Sequence, residues 1–340
     1  MEYWDKLYTL AAQVFEQKPW RYTYEDEIFG VKNPVTGKIG FISVMGIGEE
    51  HYAITVYLGE RALMKFRELS EHHDTMPPET ILEIPQLQLS FEDRDYLEKE
   101  DKEIIKRLDR KFRGSKAWPM FRAFRPGMFP SILNDEEQQS MIHYLEQVLV
   151  VLSDVKSPLK LNDLEDPQYC LVRDYKIIEE RLVWDFIRHH IQVLPRVEIP
   201  YAIPTTLLDD IWLLKPGGRI YEADLFMAPT PIREKGKPGF FPYIFLLVDE
   251  NSKMVLGQEI LNPSDGLEKM YSGIPGSMLE MIKQDSSRPF MIYVNSDILY
   301  SIFLPVMKEL KIRLEMKKKL PVISVVKKEL LKYFDRGLPF

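Results

Sequence analysis

Residues 219 to 334 constrain the fold of this 340-residue chain more than any other stretch. RIYEADLFMAP reads as a strand with Asp224 in its middle. FPYIFLLVDENSKMVLGQEIL reads as two strands around a polar turn from Asp249 to Lys253. A helix, the apolar strand PFMIYV, a second helix, the strand IRLEM and a last helix carrying Glu329 follow. A hairpin followed by alternating helices and strands points to an α/β domain with a mixed sheet.

The first half reads differently. Residues 2 to 17 place Trp4, Leu7, Leu10, Ala11, Val14 and Phe15 at helical spacing. EIFGVK, KIGFISVMG and HYAITVYLG then form an antiparallel meander, whose first turn is NPVTGK, and GERALMKFRELSEHH is a helix packed on it. A further strand lies around ILEIPQLQLSF. The charged FEDRDYLEKEDKEIIKRLDRKFR predicts a helix with a narrow apolar stripe, and Asn134 predicts the cap of a helix that runs to about Leu152. YCLVRDYK, RLVWDFIRHHIQVL and TTLLDDIWLL pattern as strands. SDVKSPLKLNDLEDPQ is polar, aperiodic and proline-bearing, as a linker would be. The expected division is therefore an N-terminal α+β domain at 1–153, a linker at 154–168 and a C-terminal domain at 169–340. This is an α+β chain of two domains, an antiparallel meander with packed helices followed by a mixed sheet.

Composition narrows the chemistry. The hydrophobic fraction of 45% is enough to build cores. The formal charge of −7 argues against a protein that coats nucleic acid or anionic lipid. No apolar run approaches the length of a membrane span, and MEYWDKLYTLAAQVFEQ lacks the features of a secretion signal, so a cytoplasmic protein with no membrane partner is expected. Cys170 is the only cysteine, which excludes an internal disulfide and reads as a packed thiol. His189 and His190 on a strand point to opposite faces and cannot share a metal. P-loop, G-x-S-x-G and H-E-x-x-H motifs are absent, and Gly46 and Gly48 read as a hairpin turn. No metal site is expected.

Over most of its length the chain resembles a bacterial two-domain family of unknown function, through FRGSKAWPMFRAFRPGMFPSIL in the first half and SRPFMIYVNSD followed by KKKLP in the second. That resemblance implies a two-domain division and no catalytic residues. By element order alone, residues 219 to 334 also resemble ribonuclease H-like folds, including the cores of transposases and integrases. In that superfamily, carboxylates on the first strand, after the fourth strand and on the last helix hold two Mg²⁺ ions, which stabilise the attacking and leaving oxygens of phosphodiester cleavage. By position these would be Asp224, Asp297 and Glu329. Asn295 stands at the strand end, where such an enzyme wants its second carboxylate. Each acid also has a structural reading: Asp224 as a solvent-facing strand residue, Asp297 as a helix cap and Glu329 as surface.

Two further features bear on nucleic acid. Arg113, Trp118, Arg122 and Arg125, interleaved with Phe121 and Phe124, are candidates for stacking bases and neutralising phosphates, or for packing ring on guanidinium to hold a loop without regular structure. Lys311, Arg313, Lys317, Lys318, Lys319, Lys327, Lys328 and Lys332 read as a solvated basic face. The expected function is a non-enzymatic binding or interaction module of unknown partner with a degenerate ribonuclease H-like core and no cofactor. The alternative is a Mg²⁺-dependent nuclease or related nucleic-acid-processing enzyme using Asp224, Asp297 and Glu329.

Overall fold

The computed structural model describes residues 1–71, 78–154, 166–192, 199–233 and 238–335. The chain divides into two compact units, Met1–Arg125 with Pro130–Pro195, and Pro126–Phe129 with Arg196–Phe340.

The first unit contains α1 (Glu2–Gln17), β1 (Phe29–Lys32), β2 (Ile39–Met45), β3 (Tyr52–Leu58), α2 (Glu60–Glu71), β4 (Gln86–Glu92), α3 (Lys99–Arg107), β5 (Trp118–Phe124), α4 (Asp135–Asp154), β6 (Tyr169–Ile178) and β7 (Arg181–His190). Its seven strands run in the order β5-β4-β3-β2-β1-β6-β7. Neighbours are antiparallel except β1 and β6, where Gly30 faces Val172 and Val31 faces Arg173 in parallel register. Strand alternation sends Ile42, Val44, Ile54 and Val56 into one core with α1 and α4, and Phe41 and Tyr57 into another with α2. The β1–β2 turn closes as its residue types require. Asn33 Oδ1 accepts from the Val35 and Thr36 amides at 2.9 and 3.1 Å, and Gly37 takes φ 69°. Asn134 caps α4, its Oδ1 accepting from the Glu137 amide at 2.9 Å while Glu137 Oε2 accepts from the Asn134 amide at 2.8 Å.

The second unit contains α5 (Thr205–Leu213), β8 (Ile220–Met227), β9 (Tyr243–Asp249), β10 (Val255–Leu261), α6 (Leu267–Asp285), β11 (Met291–Val294), α7 (Asp297–Glu309), β12 (Arg313–Met316) and α8 (Pro321–Asp335). Its five strands run β10-β9-β8-β11-β12, with β9 antiparallel to both neighbours and β8, β11 and β12 parallel. Numbered within the unit, this is the order 3-2-1-4-5 with a helix after each of strands 3, 4 and 5. Tyr221 and Ala223 face a core built with α5, α6 and α7, while Phe226 faces one built with α8.

Three expectations are corrected. The domain division expected at 154–168 lies elsewhere: residues 155–165 are outside the described residues, and β6 and β7 complete the first sheet, so the first unit extends to Pro195. β6 is placed there by pairing with β1, some 140 positions away in sequence, a contact that local patterning does not carry. TTLLDDIWLL forms α5, with Leu207 and Ile211 buried four residues apart on one helical face. The aromatic-basic stretch expected to be irregular contains β5, paired with β4 over its whole length.

Candidate functional site

The central strand of the second sheet carries two acids on one face. Glu222 and Asp224 are separated by the strand period and are both buried, at 0% and 4% exposure. The solvent-facing reading of Asp224 is therefore corrected, and what the two acids touch decides their chemistry.

Glu222 Oε2 accepts from the backbone amides of Val322 and Ile323 at 3.0 and 2.9 Å, serving the free N–H groups at the start of α8. Its Oε1 has no hydrogen-bond partner among the described residues. Burial raises its pKa above the ordinary glutamate value; the two amides work against that, Glu250 adds to it and Lys317 subtracts.

This anchor sets what Asp224 meets. Two residues along β8 advance about 6.6 Å, and four to five residues along α8 advance about the same. Lys327 accordingly arrives beside Asp224, its Nζ 3.8 Å from Oδ2 and 4.2 Å from the Phe226 ring centroid. Asn295, just past the end of β11, makes a side-chain hydrogen bond to the same carboxyl, and Oδ1 accepts from the Leu225 amide at 2.8 Å. Burial raises the Asp224 pKa, against the Lys327 charge and these hydrogen bonds.

The other two candidate ligands lie apart from this cluster. Asp297 is exposed at the first position of α7, where Ser296 is the cap, with Oγ accepting from Leu299. Glu329 is exposed and pairs with Lys332 at 2.6 Å. It follows Lys327 by two residues, a rotation of about 200°, so the helix face that presents Lys327 to Asp224 turns Glu329 away. Asp224 is thus gathered with Asn295 and Lys327, not with Asp297 and Glu329. Among the described residues, no group of three His, Cys, Asp or Glu side chains is placed to hold a metal ion.

The sequence pattern puts Lys327 within a solvated basic face. The signal that places it inward was present: it follows Ile323 by one helical turn and adjoins Val326, both on the packed face of α8. Others in that basic group also lie on side chains of their own domain. Lys317 Nζ sits 3.2 Å from the Tyr293 ring centroid and 3.4 Å from Glu250, and Arg313 covers Phe290.

Most of the aromatic-basic stretch of the first unit is likewise engaged within its own unit. Arg122 is buried, donating from both terminal nitrogens to Asp101 at 2.8 and 2.6 Å and to the Phe121 carbonyl at 2.8 Å. Burial works to lower its pKa, but the bonds and charge of Asp101, with Glu98, raise it overall. Arg125 is held by Glu137 and Ser131. Trp118 is half-buried against Phe112 and beneath Arg94, and only Arg113 of the four is exposed. Arg122 and Arg125 thus donate to carboxylates of their own unit.

Cys170 is packed as expected, and burial pushes its thiol up to about 11. His189 lies 2.6 Å from Glu60, while His190 packs edge-on to Tyr169. No described helix is long and apolar enough to cross a membrane.

Comparison with known proteins gives one family match for each unit. Residues 4–173 match a family described as Domain of unknown function (DUF7309), and residues 213–331 match a second, Domain of unknown function (DUF6930). No curated protein matches the chain. A match over half the chain, joined to the second in the same order as the two sheets, shows that the protein belongs to the DUF7309 family of two-domain proteins.

Proposed function

We propose that the second domain is a catalytically inert ribonuclease H-like scaffold and that the protein is a non-enzymatic, cytoplasmic binding or interaction module. The strand order 3-2-1-4-5, with β9 alone reversed, supports the ribonuclease H-like assignment. The observation that carries the loss of chemistry is the position of Lys327. A two-metal site needs acids on the first strand, after the fourth strand and on the last helix. The corresponding side chains around Asp224 are an amide, Asn295, and an ammonium, Lys327. A lysine ammonium stands by Asp224 in place of a metal ion, and a divalent ion beside it would be repelled.

The reading predicts no Mg²⁺- or Mn²⁺-dependent cleavage of single- or double-stranded DNA or RNA, and no rise in Tm on adding either ion. It also predicts that Asn295→Asp combined with Lys327→Glu creates a site whose occupancy raises Tm by about 5–10 °C at Mn²⁺ concentrations roughly a hundredfold above Kd. Metal-dependent cleavage by the wild type, abolished by Asp224→Ala, would refute the proposal and restore the nuclease reading.

A further inference from the structure

The β6–β7 hairpin outruns the sheet it belongs to. β1 pairs with β6 only through Val172 and Arg173, with Lys32 reaching Asp174 at 3.0 Å, whereas β6 and β7 stay paired out to Ile178 and Arg181. The base of β7 is engaged: His189 meets Glu60, and Arg188 lies 3.9 Å over the Tyr169 ring. The outer half, Arg181 to Asp185, is a two-stranded arm with exposed apolar side chains on both faces, Ile177 and Leu182 on one, Ile178 and Val183 on the other. Two strands alone are marginal in water, and a third or fourth is the usual remedy. Two of the devices that block pairing are missing from the β7 edge. It has no proline, and its register with β6 runs unbroken over ten residue pairs without a bulge.

The turn fixes which edge groups are free. Glu179 and Glu180 both have positive φ, 48° and 61°, as in a two-residue type I′ hairpin. Ile178 and Arg181 then exchange hydrogen bonds, and alternation directs the backbone groups of Val183 toward Lys176 and those of Leu182 and Trp184 outward.

We propose that this arm pairs with the same arm of a second copy of the chain, β7 against β7 in antiparallel register about a two-fold axis at Val183, making a continuous four-stranded sheet β6-β7-β7-β6. The side chains select this register. With Val183 on the axis, each Arg181 faces Asp185 of the other copy, and each Leu182 faces Trp184. Neither Arg181 nor Asp185 has an ion-pair partner among the described residues, so both charges are free to meet across the axis. Moving the axis to Trp184 sets Asp185 against Val183 and Arg181 against Ile187. Moving it to Asp185 sets two aspartates face to face. Of these registers, the Val183 one alone sets Arg181 against Asp185, and it is legal for the outward backbone groups. The inference rests on the first unit and is independent of the proposed inertness of the second.

Sedimentation velocity and light scattering on the full chain test it. The wild type is expected to be a dimer in reversible equilibrium. Asp185→Arg turns both ion pairs into repulsions and is expected to weaken dimerisation by roughly tenfold to a hundredfold. Arg181→Asp is expected to do the same, and the double exchange Arg181→Asp with Asp185→Arg to restore the dimer. Val183→Cys should form an intermolecular disulfide under mild oxidation, because facing residues of a non-hydrogen-bonded pair are close enough to bridge, while Cys170 is buried and gives no background. Circular dichroism of each variant establishes that it is folded. A monomeric wild type, a dimer untouched by Asp185→Arg, or a double exchange that fails to restore association would each overturn the proposal.

Discussion

Replacing Arg122 with methionine tests whether α3 is held to the sheet by charge. α3 offers little apolar anchorage, with Ile105 its only buried hydrophobic residue. Its Asp101 is 2% exposed, and the same carboxylate that binds Arg122 also accepts from the Glu98 amide at 2.9 Å. Methionine keeps the stem volume and removes the two bonds to Asp101 and the one to the Phe121 carbonyl. A buried carboxylate stripped of its cation costs about 3–5 kcal/mol. At roughly 2–4 °C per kcal/mol for a domain of this size, the first domain should melt about 6–20 °C lower. Arg122→Met with Asp101→Leu should recover most of that loss, because a well-packed apolar pair is close to neutral against a buried ion pair. Urea unfolding followed by far-UV circular dichroism, with calorimetry to separate the transitions of the two domains, gives the four corners of the cycle. A single-variant loss below about 1 kcal/mol, or a double variant as unstable as the sum of the singles, would refute the reasoning.

Three other expectations follow from the same kind of accounting. Glu222 has a raised pKa, so the folded state holds its proton at a pH where the unfolded chain has released it. Its contribution to stability is complete below the ordinary value of 4.5 and declines as pH rises through the folded pKa. Asp224 shifts in the same direction, and Glu222→Gln should flatten part of the fall in stability of the second domain that urea melts record as pH rises above the ordinary carboxylate values. Lys327→Met removes the cation from buried Asp224 and should cost about 1–3 kcal/mol, with Asp224→Asn in the same chain recovering part of it; equal stability of wild type and Lys327→Met would show the pair to be idle. Gly40→Ala should destabilise the first domain by about 1–3 kcal/mol in the same melts, because its Cβ would stand 2.6 Å from Val56 and 2.7 Å from the Tyr144 ring.

Local chemistry was readable where residue types act on their own neighbourhood. Asn33 to Gly37 announced a turn, Asn134 a cap, and the hairpin of β9 and β10 its polar turn, because each depends on side chains within a few positions. The order of elements in the second domain was legible for the same reason, since the periods 2 and 3.6 are local. What escaped was set by partners far away in the chain. Gly30 finds Val172, and Lys32 reaches Asp174 across 142 positions, so the first sheet captured two strands that patterning had assigned to the second domain. A short apolar run such as TTLLDDIWLL fits either period, and its packed context decided for helix. Arg122 and Lys327 share one cause of error. Their charge suggested solvent or phosphate, while carboxylates on other elements drew them inward.

The acids of β8 illustrate why spacing alone did not settle the site. Glu222 and Asp224 lie on the face that α8 covers, and each is engaged by that helix, one by its first amides and one by its lysine. Desolvating a carboxylate is costly, and a helix N-terminus and an ammonium are the two protein groups suited to offset it without a metal. The pair also fixes position: a one-residue slip of α8 would take the amides from Glu222 and swing Lys327 by about 100° away from Asp224. The acidic strand thus sets the register of the last helix on the sheet. An Asp in the middle of the first strand is explained by that task, its carboxylate meeting Lys327 where α8 lies over the sheet.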